Sequence, residues 1–143
     1  MKKRILFLCT GNSCRSQMAE AWTRELKAEE YEPYSAGVAV KPIDKRAVQV
    51  MAELGIDISD QRSKHVDSLA GMEFDYVVTL CSNARETCPY FPATTKILHK
   101  EFDDPPQLLA GASSEEEVMD LYRRVRDEIR DFVQAFPKSL DET

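Results

Sequence analysis

Arg15 follows Cys9 by six positions in Cys9-Thr-Gly-Asn-Ser-Cys-Arg15-Ser16, and that spacing puts a nucleophile and an oxyanion clamp in one short loop. A cysteine attacks as its thiolate, and loop amides together with Arg15 favour that form. A guanidinium can fork across two oxygens of a tetrahedral anion, which a lysine cannot do. Ser16 can donate its hydroxyl to the Cys9 sulfur. A second pair of thiols, Cys81 and Cys88, brackets a run of small and polar residues, Ser-Asn-Ala-Arg-Glu-Thr, ahead of Pro89. The chemistry these residues can perform is sulfur attack on an oxyanion, followed by thiol–disulfide exchange.

The loop needs a frame. Ile5-Leu6-Phe7-Leu8 reads as a short buried strand running into Cys9, and after Arg15 the residues Met18, Ala19, Trp22 and Leu26 recur at helical spacing. Strand, tight loop and helix start make an anion site, because the first N–H groups of a helix lack internal partners and the dipole adds positive charge. Gly11 and Asn12 are the residues expected to take positive φ as the loop curls.

The first helix is expected over about Ser16 to Ala28, with its charges outward and Trp22 in the core. Tyr34–Val38 is a candidate second strand. Asp44 is expected to cap a helix with an apolar face of Ala47, Val48, Met51 and Leu54, closed by Gly55. Residues 56–68 read as a turn with a short helix. Phe74–Leu80 carries a third strand ending at Cys81, and Lys96–His99 a fourth. Ser114 with Glu117 resembles a capping box for a last helix with a stripe of Val118, Leu121, Val125, Ile129, Phe132 and Phe136. Strands alternating with helices predict an α/β fold, a four-stranded parallel sheet flanked by helices on both faces in three layers. Cys9, Cys81, Asp103 and Asp104 then open onto the carboxyl edge of that sheet.

The 143 residues fit a single domain, 1–143. A net charge of −6 argues against general nucleic-acid or membrane binding, so an anion must be attracted locally. The opening Met-Lys-Lys-Arg precedes an apolar run too short for a signal peptide. Four cysteines in a chain expected in the cytoplasm point to catalysis, redox chemistry or metal rather than permanent cross-links. Their intervals lack zinc-ligand spacing, so no metal and no cofactor is expected. His65 and His99 read as surface or structural.

Cys9 through Glu20, Tyr34-Ser-Ala-Gly37, Val78-Thr-Leu-Cys81, Cys88-Pro89 and Phe102-Asp-Asp-Pro105 together resemble the thioredoxin-coupled arsenate reductases, which share the low-molecular-weight protein tyrosine phosphatase fold. The resemblance runs over essentially the whole chain, and the Cys81/Cys88 pair is what separates it from the phosphatases. It implies that arsenate, with phosphate or sulfate as mimics, binds the amides of Thr10, Gly11, Asn12, Ser13 and Cys14 and the Arg15 side chain. It further implies attack by Cys9, proton donation by Asp104, transfer to Cys81, resolution by Cys88 and reduction of the Cys81–Cys88 disulfide by thioredoxin. Cys14 is expected to pack rather than react, and the protein is expected to be a monomer.

In some relatives a potassium ion supports the loop, with ligands matching Asn12, Glu20, Ser35 and an aspartate. Lys64 falls at the aspartate position here. Its ammonium either takes the ion's place beside Glu20 or is a solvated lysine. The alternatives to reduction are a phosphatase using Cys9, Arg15 and Asp104, and an arsenite-binding sensor built on the thiols, which leaves Arg15 without a role.

Overall fold

The structure is a computed structural model, and it describes residues 2–89 and 91–141. Its centre is β1 (Lys3–Cys9), in which Ile5, Leu6, Phe7, Leu8 and Cys9 are all buried. Consecutive strand residues point to opposite faces, so burial without alternation means that both faces of the sheet are covered. The element order is β1, α1 (Arg15–Lys27), β2 (Tyr31–Gly37), α2 (Lys45–Ala52), β3 (Tyr76–Thr79), α3 (Ser82–Glu86), β4 (Lys96–His99), α4 (Glu115–Gln134) and α5 (Lys138–Asp141). Short 3-10 segments occupy Val66–Leu69 and Pro105–Gly111.

The strands lie in the order β2-β1-β3-β4, every pair parallel. The chain leaves β1 toward β2 and then returns past it to β3, so β1 and β3 are neighbours whose following loops diverge. Open parallel sheets bind ligands outside the strand carboxyl ends at such a switch point. Cys9 ends β1, and Cys81 follows β3 by two residues.

Several elements differ from expectation in informative ways. β2 begins at Tyr31, ahead of Tyr34, because its full length pairs with Lys3–Cys9. Asp44 does cap α2, accepting from the Arg46 N–H, but the buried face is Ala47, Val50 and Met51. Leu54 lies past the helix end and is exposed, as is Leu26 near the end of α1. The α4 stripe is Val118, Tyr122, Val125, Ile129, Phe132 and Val133, with Leu121 only half-buried. Ser114 accepts from the Glu117 N–H, and the Glu117 carboxylate reaches Ser113 instead of Ser114. Trp22 is buried, its indole N–H donating to the Arg126 carbonyl from α4. Glu20 is 7 % exposed, against the outward reading of the charges on α1 but in keeping with the place beside Lys64 that the resemblance gave it.

Candidate active site

The loop between β1 and α1 is shaped from outside. The carbonyls of Cys9 and Thr10 accept from Val38 N–H, Thr10 also from Ala39, Gly11 from Lys41 and Ser13 from Asp44. The Asn12 carbonyl accepts from the Gln17 side-chain amide at 2.8 Å and the Ser63 hydroxyl at 2.7 Å. In a trans peptide the carbonyl of one residue and the N–H of the next point opposite ways. With the carbonyls of 9–13 all held by the surrounding protein, the N–H groups of Thr10, Gly11, Asn12, Ser13 and Cys14 turn to the other side. Among the described residues none of these five donates to a protein acceptor. No side chain caps the start of α1 either. The result is a cradle of unsatisfied donors, the arrangement an oxyanion completes.

Asn12 takes the left-handed backbone, at φ 51°, whereas Gly11 does not. Glycine is needed instead at position 37, where an added Cβ would lie 2.7 Å from the Thr10 carbonyl oxygen and 2.8 Å from the Asn12 nitrogen. The end of β2 thus passes under the loop at a distance only glycine permits.

Cys9 is buried, with its sulfur 2.9 Å from Ser16 Oγ. The direction of that bond follows from Asn12. The Lys64 backbone N–H, which can only donate, sits on Asn12 Oδ1 at 2.9 Å, so Asn12 Nδ2 is the atom that meets Ser16 Oγ at 2.8 Å. Ser16 accepts from Asn12 and is left to donate to the Cys9 sulfur.

Arg15 is 7 % exposed. One guanidinium nitrogen donates to the Phe102 carbonyl at 2.9 Å, and the other lies 3.5 Å from Asp104 Oδ2. These contacts fix the plane of the fork and bring Asp104 beside it. Asp103 pairs with Arg124 on α4. Cys81 is buried, 3.2 Å from Thr10 Oγ1, and its sulfur caps α3 by accepting from the Ala84 N–H at 3.4 Å. One cavity of about 410 Å³ is lined by Cys9, the loop, Arg15, Cys81 and Asp104. The expected nucleophile, clamp, acid and second thiol therefore share a single opening.

Cys88 does not line it. It is half-buried against the core beyond α3, where burial pushes its thiol above the usual value. Cys14 does line the cavity, but burial first, and then Asp44, Asp104 and Cys9, push its thiol well up, which suits a packing residue.

Beneath the loop, Glu20 accepts from Ser35 Oγ at 2.6 Å and pairs with Arg24, while Lys64 Nζ lies 3.9 Å from its Oε1. Two side-chain cations already face this carboxylate, and Asn12 Oδ1 is taken by an N–H. The donor set does not suit an added monovalent cation, which favours the reading of Lys64 as the charge in that place.

Lys41 and Glu101 also line the cavity, and the Phe102 carbonyl anchors Arg15. None was expected to act there. A lysine and a glutamate in loops carry no pattern, and a backbone acceptor leaves no trace in side-chain types. Gly37 was visible as part of a motif, although not for its role.

The model of the low molecular weight phosphotyrosine protein phosphatase family matches residues 4–143. Arsenate reductase 2 of Staphylococcus saprophyticus is 47% identical over 135 residues, 94% of this chain and 96% of that protein. A solved arsenate reductase in its phosphate-binding state superposes with TM-score 0.73 at 30% identity, covering 94% of this chain and 95% of that one. A thioredoxin-dependent arsenate reductase of Corynebacterium glutamicum superposes with TM-score 0.62 at 25% identity, covering 93% of this chain and 62% of that one.

Proposed function

Because the chain belongs to the low molecular weight phosphotyrosine protein phosphatase family and groups there with arsenate reductases, we propose that it reduces arsenate to arsenite by a relay of three sulfurs. Arsenate sits in the cradle of the amides of 10–14, with two of its oxygens on Arg15. The Cys9 thiolate forms a bond to arsenic, and one oxygen leaves as water after taking a proton from Asp104. The Cys81 thiolate then attacks the Cys9 sulfur. The sulfur–arsenic bond breaks, its electron pair stays on arsenic, and arsenite departs as the Cys9–Cys81 disulfide forms. Arsenic has gained two electrons and the two thiols have lost them. Cys88 attacks the Cys81 sulfur and frees Cys9, and a thioredoxin-type dithiol reduces the Cys81–Cys88 disulfide.

The observation that carries this reading is the place of Cys81. Its sulfur touches Thr10, next in sequence to the nucleophile, inside the cavity that holds Cys9 and Arg15. A hydrolase has no use for a second thiol there. Cys88 supports the sequence of events from the other side, because it lies outside the cavity and acts after the arsenic step.

The test is turnover of Cys88→Ser with thioredoxin, thioredoxin reductase and NADPH. One equivalent of arsenite is expected, and then arrest. Sustained arsenate-dependent NADPH oxidation at the normal rate refutes the relay. Phosphatase action on aryl phosphates by Cys9, Arg15 and Asp104 is a second reading, favoured by the Arg15–Asp104 contact at 3.5 Å. It requires neither Cys81 nor Cys88. Action in the cytoplasm as a monomer belongs to the same proposal. It is compatible with the finding that no helix among the described residues is long and apolar enough to cross a membrane.

A further inference from the structure

The relay needs α3 in two states. Cys81 and Cys88 are seven positions apart, and Ser82–Glu86 is helical between them. Cys81 caps the start of this helix and Thr87 its end, a span of roughly 9 Å at about 1.5 Å per step, whereas a disulfide needs Cα atoms within about 7 Å of each other. Cys81 lines the cavity and Cys88 lies outside it, so joining the two sulfurs works against the wound helix.

Three side-chain bonds hold its first turn. The Ala84 N–H donates to Cys81 Sγ at 3.4 Å, Asn83 Nδ2 donates to Thr10 Oγ1 at 3.4 Å, and Ser82 Oγ donates to Glu101 Oε1 at 2.9 Å. The first two converge on Cys81 and on the hydroxyl that touches it, so a bond between Cys9 and Cys81 draws the sulfur away from both. The third is independent of that sulfur. Glu101 is braced in turn by His99 Nε2 at 3.2 Å, and His99 Nδ1 lies 2.8 Å from Thr79 Oγ1. Thr79 is buried at the end of β3. The chain Thr79–His99–Glu101–Ser82 thus ties the redox segment to the ends of two strands. Ser82 and His99 hold the Glu101 carboxyl below the usual carboxylate value, so it accepts as a charged group.

We propose that Glu101 is a positioning residue, a latch acting through Ser82 that adds to the two bonds at Cys81 in keeping α3 wound, so that the helix opens slowly while all three are made and faster once a Cys9–Cys81 bond has removed the other two. The inference rests on the relay reading above. Without the latch, Cys88 reaches Cys81 early, and a disulfide oxidant closes the pair before arsenate has been reduced.

The test omits arsenate. In a Cys9→Ser background, reduced protein is mixed with oxidised glutathione. The Cys81 thiolate attacks one glutathione sulfur and expels a glutathione thiolate, leaving a mixed disulfide. The Cys88 thiolate then attacks the Cys81 sulfur and expels the second glutathione, so two protein thiols lose the two electrons that one glutathione disulfide gains. Only the second step needs α3 to open. Glu101→Ala and Ser82→Ala are each expected to speed ring closure, followed by mass spectrometry, roughly two- to fivefold for loss of one exposed charge-assisted bond. Ser82→Thr, which keeps the hydroxyl, stays near the parent rate. Hydrogen exchange at amides 84–87 is expected to quicken while β1 and α1 keep theirs. Ring closure at the parent rate in both alanine variants, or exchange that quickens through the sheet as well, overturns the latch. Failure of the relay itself shows separately, as continued turnover of Cys88→Ser.

Discussion

Gly37→Ala tests whether the cradle depends on close approach of β2. An added Cβ would lie 2.7 Å from Thr10 O, 2.8 Å from Asn12 N and 3.0 Å from Gly11 C, where ordinary contact begins at 3.4 Å. The shortfalls are 3.4 − 2.7 = 0.7 Å and 3.4 − 2.8 = 0.6 Å, and each offending atom is backbone. No rotamer change relieves them, so the loop must lift by about half an ångström or more. Overpacking of this kind costs about 1–3 kcal/mol of stability. Activity suffers more, because a 1 Å misplacement of positioning groups can cost about 10²-fold. Arsenate kcat/KM is therefore expected to fall at least about tenfold, and phosphate measured by calorimetry should bind more weakly. Gly55→Ala is the control. At φ 78° it is strained as well, but nothing lies within 4 Å of its added Cβ, so it should lower Tm without changing phosphate affinity. If Gly37→Ala binds phosphate and turns over like the parent, the close approach does not shape the cradle.

Ser16→Ala removes the donor to Cys9 and strands Asn12 Nδ2; alkylation of Cys9 by iodoacetamide at neutral pH should slow roughly tenfold to hundredfold, as loss of a bond to a charged group predicts. Arg15→Lys keeps the charge but loses the fork set by Phe102 and Asp104, so KM for arsenate should rise far more than Tm falls, and an unchanged KM would contradict the clamp. Burial holds the Cys88 thiol above its ordinary 9.0, so it stays protonated where an exposed thiol has ionised. Its alkylation rate should still be climbing beyond pH 9.0, and the folded state should lose stability there, since unfolding releases the proton more readily. With Lys64 beside Glu20, added potassium should leave arsenate affinity as sodium does, and a selective gain with potassium would show that the ammonium does not fill that place.

The parts of the site legible in the sequence are those that one short segment must supply. Cys9, Arg15 and Ser16 fall on a strand end, a loop and the first turn of a helix, and local pattern places all three. Cys81 and the pair Asp103 and Asp104 came from topology, since a parallel sheet brings the strand ends to one edge, and the resemblance chose Asp104 of the two. What stayed hidden depends on contacts across the fold. Helical spacing alone makes Glu20 an outward charge; only the resemblance grouped it with Ser35 and Lys64, and the contacts across the fold give that grouping its reason. Tyr122 joined the α4 stripe in place of Leu121 because its ring is fully buried while its hydroxyl reaches Asp44 at 2.6 Å. A tyrosine's polar tip does not announce which face its ring will take. Val50 displaced Leu54 because α2 stops at Ala52, before the turn that would have carried Leu54 inward.

Rigidity is distributed unevenly over this site, in the way the proposed chemistry requires. The cradle is over-determined: each loop carbonyl from Cys9 to Ser13 has a donor, Gly37 presses from below, and Asn12 and Gln17 tie the loop to segment 61–64. An oxyanion site gains from such fixing, because donors already in place need no reorganisation as charge shifts in the reaction. The redox segment has one short helix, one buried side chain (Ala84) and a few bonds to exposed partners. Segments with so few buried contacts open at a small fraction of the global unfolding cost. Cys88 can therefore leave its half-buried seat while Cys9, at the end of a strand whose last five residues are all buried, keeps its geometry. A substitution that stiffens 82–87 should slow resolution by Cys88 without slowing release of the first arsenite. Rapid-quench measurement of the two steps checks this, and equal slowing of both would mean that cradle and segment move as one body.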